Sequence, residues 1–194
     1  MNRYYPFLTH LPLWRANIGL DENMKLICEL NERDLGIGEA EHYDKPYRLR
    51  KAARAVLFNE KKEIAYQAVR KFGCFKLPGG GIDAGETVEE GLRREIREEV
   101  GCEIKIERPI GIVIEYRNIF DVIQISYNYL ATVDGPLGEP TLEQDELDEG
   151  MEPLWAPFEK VYHDIKTSKL TVDKARFIVA REVAILYAAR EYFL

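Results

Sequence analysis

The feature that most constrains this chain is residues 80–102, where a glycine-rich loop leads into a strongly acidic helix. Thr87 and Glu90 have the spacing of a capping box, which predicts a helix that begins near Val88. Gly101 is the residue type that commonly follows the end of a helix. The apolar residues between these two signals recur at helical spacing and form one stripe. We therefore expect this helix to pack on a core and to expose an acidic side.

Three glutamates, Glu95, Glu98 and Glu99, crowd the C-terminal half of this helix and share an arc beside the apolar stripe. The helix macrodipole favours cations in the last turn, and like charges four residues apart repel each other. A local pattern that is poor for stability indicates a functional site. Carboxylate oxygens are ligands that suit Mg²⁺ or Mn²⁺, so the arc predicts a divalent cation site.

The loop before the helix contains three consecutive glycines, Gly79, Gly80 and Gly81. Glycine lets the backbone approach a ligand closely, although a glycine run more often serves a turn. An acidic amphipathic helix by itself is also more often a solvated surface helix. The combination of a glycine loop, a capped helix and a carboxylate arc favours a binding site over both simpler interpretations.

The segment fits the pattern G-x5-E-x7-R-E-U-x-E-E-x-G-U, where U is a bulky aliphatic residue, at every glycine and charged position. The fixed letters are Gly80, Glu86, Arg94, Glu95, Glu98, Glu99 and Gly101. Only Cys102, at the last U, is an imperfect fit. The chain therefore resembles the Nudix hydrolases, which split a diphosphate linked to a nucleoside or a similar group. Residues 80–102 are termed the Nudix box below.

The resemblance implies a role for each charged residue of the box. The divalent cations would be held by Glu95, Glu98 and Glu99, with help from the Gly80 carbonyl oxygen and from Glu86. Glu86 would bind metal indirectly or brace the loop. Arg94 would orient the glutamates by ion pairing, and it completes the expected catalytic set with Glu95, Glu98 and Glu99.

Substrate contacts are predicted from basic residues that precede the box. On an extended chain Arg48, Arg50 and Arg54 share one face. Arg54 is the strongest single candidate for a phosphate contact, and a structural salt bridge is the alternative role for it. The backbone of Gly79, Gly80 and Gly81 is expected to contribute to the same substrate contacts.

The general base is expected among the box glutamates or on the acidic segment 134–150, which is predicted to be a surface loop. The candidates in that loop are Glu143, Asp145, Glu146, Asp148 and Glu149. Most acids in such a loop are only solvated, and the sequence does not choose among them.

Charge and composition limit the partners. A formal net charge of −7 argues against broad binding to nucleic-acid polymers, and it means that an anionic substrate needs local cations or metal. Three scattered cysteines without a CxxC motif indicate free thiols in a reducing compartment. The apolar runs are too short to cross a bilayer, and the first residues lack the order of a signal peptide. We expect a cytoplasmic protein that binds a small nucleotide, without a membrane partner.

Strands interleave with a few helices without regular βαβ alternation, which indicates an α+β fold. The resemblance sharpens this to the Nudix fold, a mixed β-sheet sandwiched between α-helices. We expect strands at 52–58, 63–69, 103–116, 121–133 and 151–156, and helices at 157–167 and 172–193.

The domain prediction divides the chain at residue 48. Residues 1–47 would be an N-terminal extension with a strand near 25–30 and a partial loop, and residues 48–194 a Nudix domain with a C-terminal helix. Met24 is an alternative start. The extension and the last helix would pack on the core or form a homodimer contact.

The box indicates the reaction more closely than it indicates the substrate. Some relatives that hydrolyse ADP-ribose carry a proline a little over a dozen residues after the box, yet none occurs between Pro109 and Pro136. Relatives that cleave nucleoside triphosphates carry a lysine where this chain has Gly81. We favour hydrolysis of a nucleoside triphosphate, or of an oxidised nucleotide, to the monophosphate and pyrophosphate.

Two alternatives stay open. The first is hydrolysis of ADP-ribose or another nucleotide sugar, which gives a sugar phosphate and a nucleoside monophosphate instead of pyrophosphate. The second belongs to another class, a Nudix-like regulator that senses a nucleotide without cutting it. The complete set of box glutamates favours an enzyme over a sensor.

The substitution Glu98→Gln tests the expected role of the box. It removes one predicted metal ligand with little change of size, so turnover should be abolished with little loss of stability. The measurement is Mg²⁺-dependent hydrolysis together with thermal unfolding. Unchanged hydrolysis in this variant would contradict the assignment of Glu98.

Overall fold

The computed structural model describes residues 24–38 and 46–192. Within these residues seven strands form one mixed sheet, and four α-helices flank it. The strands are β1 (Leu26–Asn31), β2 (Arg48–Phe58), β3 (Ile64–Val69), β4 (Cys74–Lys76), β5 (Glu103–Arg117), β6 (Val122–Asp134) and β7 (Met151–Ala156). The helices are α1 (Val88–Val100), α2 (Gln144–Asp148), α3 (Phe158–Lys166) and α4 (Lys174–Ala189). Short 3₁₀ turns occupy Arg70–Phe72, Asn118–Phe120 and Arg190–Tyr192.

The order of the strands is β1-β5-β6-β2-β3-β4, and β7 pairs with β3 off this path. The pairs β1–β5 and β2–β6 are parallel, and the remaining pairs are antiparallel. β2 meets β3 at one residue pair, Phe58 and Ile64, so the sheet divides between these strands. The glycine loop lies along β2 in this division, where the Ala53 N–H donates to the Gly80 carbonyl oxygen at 3.0 Å. The sheet therefore fixes the backbone of the loop at its centre.

The two faces of the sheet bury different helices, because successive side chains of a strand point to opposite faces. On one face, Leu92 and Ile96 of α1 pack into a cluster with Leu57 of β2. On the other face, Val56 of β2 packs into a cluster with Ile185 of α4, and α3 contributes to the same cluster. This arrangement confirms the predicted α+β fold with a mixed sheet between helices.

The capped helix is confirmed in detail. The Thr87 hydroxyl oxygen accepts a hydrogen bond from the Glu90 N–H at 3.2 Å, and the Glu90 carboxylate accepts one from the Thr87 N–H at 2.8 Å. α1 begins at Val88, as the spacing predicts. Gly101 ends it in the left-handed region, with φ of +77°, and its N–H donates to the Arg97 carbonyl oxygen.

Most other predicted elements agree with the structure within a few residues, but two predictions need correction and one strand was not predicted. The prediction of residues 134–150 as a loop throughout is wrong, because Glu143 and Glu146 form a capping box that starts α2. β4 was not predicted, since a strand of three residues has no measurable periodicity. The predicted helix at 172–193 starts later, at Lys174, and its last residue lies outside the described part of the chain.

The strand expected near residues 25–30 is β1, which pairs with β5 within the main sheet. The predicted domain boundary at residue 48 and the homodimer contact stay predictions. The alternative start at Met24 also stays a prediction, and residues 1–23 and 39–45 lie outside the described residues. In the part of the chain that is described, no helix is both long enough and apolar enough to cross a membrane.

The end of α1 gives a test of the fold. A Cβ at Gly101 would lie 2.7 Å from the Gly138 carbonyl oxygen, whereas a Cβ at Gly85, which also has positive φ, would meet nothing within 4 Å. Both glycine-to-alanine changes add backbone strain of about 1–2 kcal/mol, and only Gly101→Ala also adds a steric overlap. Urea denaturation should show that Gly101→Ala lowers the free energy of unfolding by at least about 1 kcal/mol more than Gly85→Ala. Equal losses in the two variants would contradict this account of the turn.

Candidate active site

Three carboxylates meet beside the glycine loop. Glu95 and Glu99 lie on the last turns of α1, and Glu146 lies on α2. Each contributes a carboxylate oxygen, and these oxygens lie within 4.8 Å of one another. These three residues are termed the carboxylate cluster. Of the five acids proposed for the segment 134–150, Glu146 is the one that reaches the box glutamates in this cluster.

Glu99 is fully buried and anchors the cluster to the sheet. Its Oε1 lies 2.7 Å from the Lys76 ammonium, and its Oε2 accepts a hydrogen bond from the Gly79 N–H at 2.5 Å. A buried carboxylate needs such partners because the loss of hydration costs several kcal/mol. The pairing therefore fixes α1 against both β4 and the glycine loop.

The electrostatics of the cluster fit a bound cation. Burial, followed by the negative charge of Glu99, raises the pKa of Glu95. Burial raises the pKa of Glu146 to about 7, and the charge of Glu99 contributes to this increase. A nearby positive charge favours the ionised form of such groups. Three carboxylate oxygens at this separation also provide the hard donors that Mg²⁺ and Mn²⁺ prefer.

Arg94 joins the charged residues of the box through one guanidinium group. Its Nε lies 2.8 Å from Glu86, and its Nη1 lies 3.0 Å from both Glu95 and Glu98. Its Nη2 also donates to the Gly81 carbonyl oxygen at 2.8 Å. These bonds raise the pKa of Arg94 and lower the pKa of Glu86, in each case chiefly through the hydrogen bond between the two. The geometry is that of a residue that holds the glutamates in place.

Glu98 points away from the carboxylate cluster and pairs with Arg94, with 30% of its side chain exposed. The helix geometry explains this difference. Glu99 lies about 40° around the helix from Glu95 on one side, whereas Glu98 lies about 60° away on the other. The three glutamates share an arc as predicted, but the structure brings only Glu95 and Glu99 together with Glu146. The role of Glu98 as a metal ligand stays a prediction.

The glycine loop needs small residues because the Glu95 carboxylate lies against it. A Cβ at Gly80 would lie 2.3 Å from the Glu95 Oε2. Every carbonyl oxygen of the loop accepts a hydrogen bond from the protein: Gly79 from Arg54, Gly80 from Ala53 and Gly81 from Arg94. The loop thus positions the carboxylates, and direct contacts of its backbone with metal or substrate stay predictions.

A cavity of about 400 Å³ lies next to the carboxylate cluster. Its basic lining residues are Arg48, Arg50, Arg54, Lys76, Arg117, Lys174 and Arg181. This space is termed the basic cavity. Lys76 belongs to both regions, because its ammonium contacts Glu99 and its side chain lines the cavity. A volume of this size is typical of small-molecule sites.

Arg54, the strongest sequence candidate for a phosphate contact, is 5% exposed. Its Nη1 donates to the Gly79 carbonyl oxygen at 2.5 Å, and its Nε lies 3.6 Å from Glu182 of α4. Burial lowers the pKa of Arg54 to about 10, with a contribution from the charge of Arg181. These contacts match the alternative role of Arg54, which is a salt-bridged residue that supports the loop. Arg54 also lines the basic cavity, and its contact with the substrate stays a prediction.

Sequence reasoning missed Arg117, Lys174 and Arg181. They lie on β5 and α4, far along the chain from the box, and no spacing rule connects them to it. The available signal was Glu115, because it follows the apolar run of residues 112–114 and a buried acid requires a cationic partner. Arg181 supplies that partner at 3.2 Å.

Comparisons with known proteins identify the family. The family model of the NUDIX domain matches residues 48–179. The chain is 52% identical over 40 residues to an ADP-ribose pyrophosphatase of Methanocaldococcus jannaschii, which is 21% of this chain and 24% of that protein. It is 59% identical over 34 residues to the nucleoside triphosphatase NudI of Enterobacter sp. (strain 638). This matched segment is 18% of this chain and 24% of that protein. The chain thus matches about a quarter of the length of these curated relatives.

Solved structures share the fold at low sequence identity. The MutT protein of Methanosarcina mazei Go1 has a TM-score of 0.50 and 21% identity, over 78% of this chain and 99% of that one. The E. coli ORF135 protein has a TM-score of 0.53 and 16% identity, over 76% and 92%. At this identity the likeness shows the fold alone. The family model covers more than half of the chain, including the box and the whole carboxylate cluster, so the chain belongs to the NUDIX family.

Proposed function

We propose that this protein is a metal-dependent hydrolase that cleaves the diphosphate bond of a nucleoside diphosphate derivative, with Mg²⁺ or Mn²⁺ as its cofactor. The observation that carries the proposal is the carboxylate cluster of Glu95, Glu99 and Glu146 beside the basic cavity. Within the cluster, Glu95 and Glu99 suit divalent cations and Glu146 lies beside them. The cavity suits the anionic substrate that those cations would help to bind. The substrate is a small nucleotide rather than a nucleic-acid polymer, and we propose a cytoplasmic location.

The box residues hold the reacting groups in place. Glu95 and Glu99 would hold the cation, with Glu98 and the Gly80 carbonyl oxygen as further ligands, and Glu86 braces the loop through Arg94. A bound divalent ion would neutralise charge on the diphosphate and lower the pKa of a nearby water molecule. Arg94 keeps Glu95 and Glu98 in position through its two 3.0 Å contacts. The chain thus contributes mainly positioning and charge stabilisation.

Glu146 is the acid that we assign to proton transfer. Water attacks one phosphorus atom and one of its protons passes to the Glu146 carboxylate. The bond from that phosphorus to the bridging oxygen breaks, and the bridging oxygen leaves with the bonding electron pair on the other phosphate. The location of Glu146 within 4.8 Å of the other two carboxylates supports this role. The other acids of α2, such as Asp145 and Asp148, are exposed.

The favoured substrate is a nucleoside triphosphate or an oxidised form of one, which would give the monophosphate and pyrophosphate. The similarity to the nucleoside triphosphatase NudI supports this choice. The similarity to an ADP-ribose pyrophosphatase supports the alternative, hydrolysis of ADP-ribose or another nucleotide sugar. Intact carboxylates in the cluster support catalysis over a role as a nucleotide sensor.

A substrate panel tests the proposed reaction. Purified protein with Mg²⁺ or Mn²⁺ should release pyrophosphate from nucleoside triphosphates, and EDTA should abolish the release. ADP-ribose and nucleotide sugars, assayed for nucleoside monophosphate, test the alternative. No product from any member of the panel, with folded protein that binds Mn²⁺, would refute the hydrolase and favour the sensor.

The substitution Glu146→Gln tests the assigned proton acceptor. Glutamine preserves the capping box of α2, in which the side chain of residue 146 accepts from the Glu143 N–H, so the fold should persist. We expect kcat to fall by about 10²-fold or more, because general base catalysis contributes about 10²–10⁴-fold. The matched control is Asp148→Asn, an exposed acid of the same helix, which should keep the activity of the unmodified protein.

Binding of Mn²⁺ separates a proton acceptor from a metal ligand. If Glu146 accepts the proton, Glu146→Gln should bind Mn²⁺ nearly as tightly as the unmodified protein does. Loss of Mn²⁺ binding in parallel with loss of kcat would make Glu146 a ligand and would contradict the assignment. Electron paramagnetic resonance of bound Mn²⁺ provides the measurement.

A further inference from the structure

The basic cavity has more positive charge than the described residues of the protein neutralise. Seven basic side chains line it. Four carboxylates line it or pair with these side chains, namely Glu99, Glu115, Glu149 and Glu182. Among the described residues, three positive charges therefore remain in excess within one small space. Such an excess lowers stability unless an anion occupies the cavity.

Arg50 is the clearest case of an uncompensated charge. Its side chain is partly buried in the cavity wall, and its Nη1 donates to the Gln124 Oε1 at 2.6 Å. In the described part of the chain, no carboxylate forms a salt bridge with it. Burial, followed by the charges of Arg117 and Arg181, lowers the pKa of Arg50. A guanidinium in this position favours an anionic partner, and residues 24–38 and 46–192 supply no salt bridge to it.

A network of buried side chains at the base of the basic cavity holds Arg50 in place. Arg181 pairs with Glu182 at 2.6 Å and with Glu115 at 3.2 Å, and all three side chains are buried. Gln124 donates to Glu115 through its Nε2 and accepts from Arg50 through its Oε1. This chain of hydrogen bonds keeps the Arg50 guanidinium in the wall instead of letting it turn into solvent.

Two exposed cations stand with Arg50 around the cavity. Arg48 lies two residues before it on the same face of β2, and Lys174 begins α4 on the other side. The Lys174 ammonium lies 3.9 Å from the centre of the Phe72 ring, and neither Lys174 nor Arg48 has a salt bridge within the described residues. Arg48, Arg50 and Lys174 thus retain charge for a ligand, whereas Arg54, Arg117 and Arg181 are already paired.

We propose that Arg48, Arg50 and Lys174 form an anion subsite for a phosphate group beyond the diphosphate that is cleaved. Lys76 connects the two regions, since it contacts Glu99 of the carboxylate cluster and lines the basic cavity. A substrate whose diphosphate lies at the cluster extends past Lys76 into the cavity. The subsite therefore selects substrates with at least three phosphates in a row. This inference rests on the proposed function and narrows it, because ADP-ribose and nucleotide sugars lack the additional phosphate.

Substrate preference tests the subsite during turnover. For a nucleoside triphosphate and the matching diphosphate, kcat/KM is measured with Mg²⁺ in the unmodified protein, in Arg50→Gln and in the control Arg97→Gln. Arg97 is an exposed arginine of α1 that contacts Glu103. The unmodified protein and the control should prefer the triphosphate by about 10- to 100-fold, as expected for a charged hydrogen bond. Arg50→Gln should lose this preference through a higher KM for the triphosphate.

Equal losses of kcat/KM on both nucleotides in Arg50→Gln would overturn the proposal, because they would mean that Arg50 acts on the cleaved diphosphate or on the fold. Lys174→Gln provides a second variant at an exposed position, where misfolding is not expected. It should reduce the same preference. A preference unchanged in both variants would also overturn the subsite.

Binding without turnover separates the subsite from the proposed reaction. Inorganic tripolyphosphate is titrated by calorimetry into protein in EDTA, and Arg50→Gln should weaken binding about tenfold or more while Arg97→Gln leaves it unchanged. Binding that is absent, or that does not depend on Arg50, refutes the subsite even if the protein hydrolyses nucleotides. Binding that depends on Arg50 in a protein that hydrolyses no nucleotide supports the subsite and refutes the proposed function.

Discussion

The burial of one carboxylate, Glu99, governs the arrangement of the whole site. An ionised group without solvent contact is tolerated only when partners replace its hydration. Lys76 and the Gly79 N–H provide those partners, and they lie on different segments of the chain. The register of α1, the position of the three-residue strand β4 and the path of the glycine loop are therefore linked through one side chain. Loss of any one contact would leave a buried charge unbalanced.

Two regions of opposite charge lie next to each other at Glu99. The carboxylate cluster concentrates negative charge, while the basic cavity beside it concentrates positive charge. Internal pairs balance part of each region, through Arg94 for the box and through Glu115 and Glu182 for the cavity. The remaining charge of each sign is what a cation and a phosphorylated ligand would neutralise together. The two regions thus fit the two halves of a metal–phosphate complex.

The sequence predicts the parts of this structure that depend on local spacing. The capping box at Thr87, the turn at Gly101 and the apolar stripe of α1 all follow from residues within one helix. The same local signals identify the box and its family. The positions of β5 and β6 are also predictable, since both strands carry β-branched residues over several positions.

The rest depends on contacts between distant segments, which local spacing does not report. The sequence does not distinguish the five candidate acids of residues 134–150 as general bases. The position of α2 in the fold places Glu146, on this helix, at the carboxylate cluster. The separation of Glu98 from Glu99 depends on which side of α1 faces the sheet. The basic cavity combines residues of β2, β5 and α4, and its charge excess is visible only after the internal salt bridges are assigned.

The division of the sheet between β2 and β3 determines which segments must accompany the Nudix box if it is transferred to another protein. The loop residues 78–82 occupy the edge of β2 that β3 leaves open, with hydrogen bonds from Ala55 to Pro78 and from Ile82 to Lys51. A designer who grafted only residues 80–102 onto another scaffold would transfer the glutamates without the strand that aligns them. The smallest transferable unit also includes β2 and β4, because the first holds the loop and the second carries the partner of Glu99.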